Sequence, residues 1–247
     1  MSVYQHITSS AKEGRKLLAV LLDPDHLHDE AQLRETVGIV HASGADLILY
    51  GGSLMTGAYF EEGLKIIRQC THIPVILFPG SAMQVSPHAD AILFTSLISG
   101  RNPEFLIGQQ VLAAPVVKAA GLEVIPTGYM IVESGRPTTA SYVSNTAPIP
   151  RHKPEIAATT AMAGEMLGQL LIYLDGGSGA EHAVSSAMIS AVKSQISVPL
   201  VVGGGINTPE ELLARYEAGA DVAVVGTAAE KDPFVIRDMV CALKAAY

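Results

Sequence analysis

Eight short apolar runs, at 17–23, 46–52, 74–80, 91–97, 122–132, 170–177, 199–205 and 221–227, recur along the chain of 247 residues with helix-like segments between them. Most are continuously hydrophobic instead of alternating, as strands buried on both faces of a parallel sheet are. The intervening segment NTPEELLARYEAGA carries helix signals: Asn207 or Thr208 can cap, Pro209 suits the first turn, and Gly219 closes the helix. Strand and helix therefore alternate eight times, which predicts a (β/α)8 TIM-type barrel folding as one domain over residues 1–247. A doubly wound sheet would usually have fewer strands and a GxGxxG fingerprint after the first, and the chain has no such fingerprint there. SGADLILYGGS (43–53) is similar to AGADVAVVGTA (218–228), and PVILFPGS (74–81) to PLVVGGGI (199–206), as a repeated βα unit requires.

Two links depart from the repeat. SAMQVSPHAD, 81–90, is short for a full helix, so a reduced third helix is expected. ESGRPTTASYVSNTAPIPRHKPE, 133–155, is long and polar, and is expected to be a mobile loop over the site.

Composition narrows the function. A net charge of -8 without a Lys/Arg cluster excludes a nucleic-acid binder, which needs such clusters to displace counterions. Hydrophobic residues at 49% and charged residues at 16% allow a sizeable core. Two cysteines, Cys70 and Cys241, are too few for a disulfide framework and fit structural thiols in a reducing cytoplasm. The polar start MSVYQHITSSAKEGRK has no apolar signal core, and no run approaches the roughly 18 residues of a membrane span. A soluble cytoplasmic protein is expected, one that can still touch a membrane surface.

In a βα barrel, chemistry sits where strands end. The residues there are Asp23, Ser53, Asp175 to Gly179, Gly203 to Gly205, and Gly226 with Thr227. Glycines cluster after strands six, seven and eight, where backbone N–H groups can approach a phosphate with no Cβ in the way. The glycines and Ser178 would hold that phosphate. Asp175 and Tyr173 would then face a part of the ligand that is not phosphate, which suggests a small phosphorylated polyol whose hydroxyl Asp175 orients or deprotonates. Asp23 and Ser53 are hard oxygen ligands of the kind Mg²⁺ shares with substrate phosphates. His26 and His28, two apart in a loop without a third ligand, do not read as a zinc pair. His152, in the long loop, and His182, placed on the sixth helix, show no triad spacing and read as surface or capping residues.

LLDPD, LYGGS, SGRNP, YLDGGSGA, VVGGGI and VVGTAAE occur in the order found in geranylgeranylglyceryl phosphate synthases and the related heptaprenylglyceryl phosphate synthases, and the chain resembles that family along nearly its whole length. The resemblance implies a prenyltransferase that joins sn-glycerol 1-phosphate to a long prenyl diphosphate, with Mg²⁺ on the diphosphate. Carried over by position, Asp23 and Ser53 are the metal side. Tyr173, Leu174, Asp175, Gly176, Gly177, Ser178 and Gly179 hold glycerol phosphate, with Asp175 and Tyr173 catalytic. Gly204, Gly205, Gly226 and Thr227 complete the phosphate cup. The prenyl tail needs an apolar trough, which Phe78, Phe94 and Phe105 could line. The pattern resembles most the subgroup using the C20 geranylgeranyl donor, which implies a homo-oligomer, dimer or hexamer. The chain departs from the family in three places: Asp175-Gly176 stands where Glu-Ala is common, Leu21 where some members have lysine, and His26 where lysine is commoner. A sugar-phosphate isomerase shares the glycine loops, but such an enzyme wants an acid and a base across the barrel, and Asp23 has no evident partner. A non-catalytic phosphate-ligand binding protein is the third reading.

Overall fold

The structure is a computed structural model and describes residues 1–247 except His28, Thr56 and Ala58. Eight parallel strands close into a barrel in chain order. They are β1 Leu17–Leu22, β2 Leu47–Tyr50, β3 Val75–Leu77, β4 Ala91–Leu97, β5 Glu123–Ile131, β6 Leu171–Asp175, β7 Leu200–Gly203 and β8 Val222–Val225. Each lies inside one of the eight apolar runs. The ring closes because β1 pairs with both β2 and β8, with Ala19 opposite Leu47 and Val224.

Alternation along each strand divides the core in two. Leu17, Ala19, Leu49, Leu93, Tyr173 and Val224 fill the barrel interior. Leu18, Val20, Ile48, Ile172, Leu174 and Val202 pack outward against the helices. The helix α1 (Val3–Lys12) precedes the barrel and sends Val3 and Ile7 into the interior cluster. Its first amides, of Val3 and Tyr4, donate to the Glu123 carboxylate at 2.6 and 3.0 Å.

Around the strands lie α2 (Glu30–Ser43), α3 (Phe60–Cys70) and α4 (Gln109–Ala120), the last entered through a π-helical turn, Glu104–Gly108. They are followed by α5 (Thr139–Ser144), α6 (Pro154–Met166), α7 (Ser186–Lys193), α8 (Pro209–Glu217), α9 (Thr227–Lys231) and α10 (Val235–Ala246). Thr208 caps α8, its side chain accepting from the Glu211 amide at 3.3 Å.

The two irregular links are informative. Between β3 and β4 the helix is not merely reduced: residues 78–90 contain none. Segment 133–155, expected as a mobile loop, is instead built around α5. A capping box closes its start, with Thr138 and Ser141 exchanging side-chain to backbone hydrogen bonds at 3.1 and 3.3 Å. Ile149 ties the far end back to β5 through its amide, which donates to the Ile131 carbonyl at 2.8 Å.

The loops after β6 and β7 meet backbone to backbone. Gly204 has φ +82°, and a Cβ on it would lie 2.7 Å from the Gly177 nitrogen and 2.8 Å from the Gly176 Cα. A Cβ on Gly176 would approach nothing closer than 3.4 Å. Gly204→Ala should therefore lower stability by about 2 kcal/mol and Tm by roughly 4 to 8 °C, while Gly176→Ala changes it by less than about 0.5 kcal/mol. Thermal denaturation checks this, and equal Tm values for the two variants would contradict the packing described.

Candidate active site

A cavity of about 460 Å³ opens at the C-terminal ends of the strands. Its floor is aromatic. Phe78 stacks on Tyr173 with ring centres 5.2 Å apart, and Tyr129 meets both edge-on at 5.5 Å. Register explains the meeting: Tyr129 on β5 is opposite Tyr173 on β6, and both point inward.

Two residues further along β6, the same alternation turns Asp175 inward. Only 7% of it is exposed. Its Oδ2 accepts from the Tyr129 hydroxyl at 2.6 Å and its Oδ1 from the Gly177 amide at 2.7 Å. Burial pushes the Asp175 carboxyl above its ordinary range, and these two donors, which favour the charged form, oppose that push. Burial and the neighbouring carboxylate raise the Tyr129 and Tyr173 hydroxyls well above theirs, so both remain protonated donors. The Tyr173 hydroxyl has no protein partner among the described residues.

Beside this acid lies a cup of backbone. Gly177 and Gly179 have φ +84° and +67°, and Gly204 and Gly205 have φ +82° and +72°. Among the described residues, the amides of Ser178, Gly179, Gly204, Gly205 and Thr227 donate to no protein acceptor. The Ser178 and Thr227 hydroxyls stand 3.4 Å apart, bringing the loops after β6 and β8 together. Gly226 and Thr227, which starts α9, line the same cavity. Free amides lining one cavity are what an anion site requires.

Across the mouth, Asp23 ends β1 and fronts the loop after β2. A Cβ on Gly52 would fall 2.8 Å from Asp23 Oδ2, so glycine there is what lets the carboxylate stand in the cavity beside Ser53. Asp23 Oδ1 accepts from the Asp25 amide at 2.9 Å, and Oδ2 has no protein donor among the described residues. Burial raises the Asp23 carboxyl, with opposition from the Asp25 amide and His26. The neighbouring Glu230 carboxylate lines the cavity too, and its Oε2 meets His26 Nδ1 at 2.9 Å. Burial works against the His26 imidazolium, but the hydrogen bond and charge of Glu230 outweigh it and raise its pKa. Among the described residues, no group of three His, Cys, Asp or Glu side chains could hold a metal by itself. One free carboxylate oxygen and a hydroxyl suit a hard cation that takes its other ligands from water and substrate phosphate.

Tyr173, Asp175, Gly177, Ser178, Gly179, Gly204, Gly205, Gly226, Thr227, Asp23 and Ser53 thus share one cavity, and Phe78, Phe94 and Phe105 line it as well. Two residues of the expected set do not face it. Leu174 points outward into the barrel–helix core, because alternation puts it on the opposite face from Tyr173 and Asp175. Gly176 is buried, and its amide donates to the Gly203 carbonyl at 3.0 Å. His182 lies in the loop before α7, not on a helix, since Ser185 caps that helix and starts it later. His152 is exposed in the 133–155 segment, and His28 lies outside the described residues.

Sequence reasoning missed Tyr129, Arg136, Lys231 and Gln84. Arg136 and Lys231 bring positive charge to the cavity wall, and Arg136 donates to the Gly179 carbonyl. Leu21, where a lysine was a possible charge source, instead packs against Gly226.

Residues 11–246 match the profile of the PcrB family. A geranylgeranylglyceryl phosphate synthase of Chitinophaga pinensis is 48% identical over 244 residues, 99% of this chain and 96% of its own. One of Spirosoma linguale is 52% identical over 223 residues, 89% of this chain and 88% of its own. The crystal structure of (S)-3-O-geranylgeranylglyceryl phosphate synthase from Thermoplasma acidophilum, in complex with sn-glycerol-1-phosphate, superposes with a TM-score of 0.93 at 32% identity, covering 99% of both chains.

The buried acid has a thermodynamic signature. A carboxyl whose folded pKa is raised above its unfolded value adds stability at acid pH, and that contribution is lost as pH rises through the folded value. Asp175→Asn, which keeps an acceptor for Gly177, should therefore raise Tm at neutral pH by a margin that shrinks on acidification. A variant less stable than the parent at neutral pH would contradict the burial cost assigned to this carboxylate.

Proposed function

The chain belongs to the PcrB family, and from that premise we propose that it is a geranylgeranylglyceryl phosphate synthase, a prenyltransferase of ether-lipid synthesis. The observation that carries the reading is one buried carboxylate, Asp175, set between a backbone anion cup and an aromatic floor. A three-carbon polyol phosphate suits that pairing: its phosphate takes the free amides, and its distal hydroxyl meets the acid in the same cavity.

The bond changes are simple. The oxygen of the glycerol 3-hydroxyl forms a bond to C1 of the prenyl donor as the allylic C1–O bond breaks, and the electron pair leaves with diphosphate. The hydroxyl proton passes to Asp175, whose raised pKa suits a base operating nearer neutrality than an ordinary carboxylate. Tyr129 and Gly177 hold that carboxylate in place, and Tyr173 offers its hydroxyl proton as a hydrogen bond to the acceptor substrate. Arg136 and Lys231 balance phosphate charge from the wall, the part that Leu21 cannot play.

On the opposite side, Asp23 and Ser53 would hold Mg²⁺ together with the donor's diphosphate. When bound, that ion neutralises charge developing on the departing diphosphate. The donor's hydrocarbon extends past Phe94 and Phe105, where the lack of a helix after β3 leaves the wall to residues 78–82, Val85 and α4. Allylic ionisation and water exclusion are compatible with this apolar channel.

Incubation with sn-glycerol 1-phosphate and C15, C20 and C35 diphosphates tests the reading. Ether product with the C20 donor foremost is expected, abolished by EDTA and reduced at least about 100-fold in Asp175→Asn. Absence of product with every donor, while sn-glycerol 1-phosphate still raises Tm, would overturn it.

A further inference from the structure

The segment that replaces the third helix carries a side chain with no evident reason to be polar. Gln84 is 1% exposed, and both ends of its amide are used on a single residue. Its Nε2 donates to the Gly52 carbonyl at 2.8 Å, and its Oε1 accepts from the Gly52 amide at 3.2 Å. Gly52 is the residue against which the Asp23 carboxylate rests. Glycines on either side make the contact possible. A Cβ on Gly80 would lie 2.4 Å from the Gly52 carbonyl oxygen and 2.6 Å from that of Ser53, and one on Gly51 would lie 2.2 Å from the Phe78 carbonyl oxygen. The loops after β2 and β3 are therefore pressed together, with Gln84 as the clamp. Gln109 on α4 anchors the clamp's own loop, its Oε1 accepting from the Ala82 amide at 3.1 Å.

A primary amide is the side-chain group that offers a donor and an acceptor in one plane to the N–H and C=O of a single residue. At Gly51 and Gly52 the chain has no side chains of its own to hold it, and Gln84 adds to the hold of the Gly51 amide, which donates to the Leu22 carbonyl at 3.3 Å. Accordingly, we propose that Gln84 is a positioning residue for the Asp23–Ser53 side: it fixes the Gly51–Ser53 backbone against Asp23 and so sets affinity for the diphosphate end of the donor with its divalent cation. The inference rests on the reading of that side given above. It assigns no contact between Gln84 and substrate. Its effect is confined to one half of the cavity, because the glycerol phosphate half is built on β5 to β8.

The test is a pair of calorimetric titrations on the full chain: pyrophosphate with Mg²⁺, in the presence of saturating sn-glycerol 1-phosphate, and sn-glycerol 1-phosphate alone. In Gln84→Met, which keeps length and loses both hydrogen bonds, the Kd for Mg²⁺-pyrophosphate should weaken about tenfold while that for sn-glycerol 1-phosphate stays within about twofold. Gln84→Glu keeps size but cannot donate to the Gly52 carbonyl. Positioning predicts weaker Mg²⁺-pyrophosphate binding in this variant with the Kd for sn-glycerol 1-phosphate held within about twofold, whereas charge repulsion from a new carboxylate would weaken both anionic ligands, and the variant decides the matter should Gln84→Met not fold. Turnover should follow binding, with KM for the prenyl donor raised and KM for glycerol phosphate unchanged. Equal weakening of both ligands, or unchanged Mg²⁺-pyrophosphate binding, would overturn the inference. Asp23→Asn separates the two levels. If it leaves Mg²⁺-pyrophosphate binding intact, the reading of this side fails, and if it abolishes binding while both Gln84 variants bind normally, only the role of Gln84 fails.

Discussion

A carboxylate taken out of water costs several kcal/mol unless donors meet its lone pairs, and the cavity is arranged around keeping Asp175 charged at a tolerable cost. Two donors are fixed, the Tyr129 hydroxyl and the Gly177 amide. Each requires something else in turn. Tyr129 reaches Asp175 because β5 and β6 pair with Tyr129 beside Tyr173, and the three-ring cluster with Phe78 fixes its orientation. Gly177 can turn its amide back onto the carboxylate because it adopts φ +84°, which glycine does without strain. The same turn leaves Ser178 and Gly179, whose amides have no protein acceptor among the described residues, lining the cavity. Satisfying the acid and building the anion cup are therefore one structural event.

The other half of the mouth follows a different logic. Asp23 is only partly buried, and its second oxygen has no protein donor among the described residues, which suits the cation role proposed for it. The half proposed for the polyol phosphate is built from backbone. The half proposed for the leaving group is built from one carboxylate, a hydroxyl and loops held by a distant amide. The absence of a helix after β3 accompanies this division, since residues 78–90 run as a loop from which Gln84 reaches the Gly52 carbonyl.

The barrel was legible because buried parallel strands read as unbroken apolar runs, and the glycine clusters after β6 to β8 marked loops that line the cavity. The missing parts share a physical cause: their role depends on side-chain phase or on contacts between segments far apart in sequence. TGYMIV gives no hint of which face Tyr129 takes, because β5 is apolar on both; pairing with β6 decides it. The same ambiguity let Leu174 pass as a ligand contact, when alternation sends it outward. Gln84 sat in a linker noted only for being too short to be a helix, and its partner Gly52 is 32 residues away. Arg136 lay in a polar stretch whose folding into α5 depends on the capping pair Thr138 and Ser141.

The central claim is that Asp175 works as a carboxylate whose pKa is set by burial against the Tyr129 hydroxyl. The pH dependence of kcat/KM for wild type and Tyr129→Phe tests it most directly, since ionisation of the shared substrates cancels in the comparison. Activity needs the deprotonated acid, and loss of a donor to its charged form raises its pKa. The acid limb should therefore lie above the ordinary carboxylate range in wild type and move to still higher pH in Tyr129→Phe. Superimposable acid limbs would contradict the account, because Asp175 would then not be the group whose charge the reaction requires.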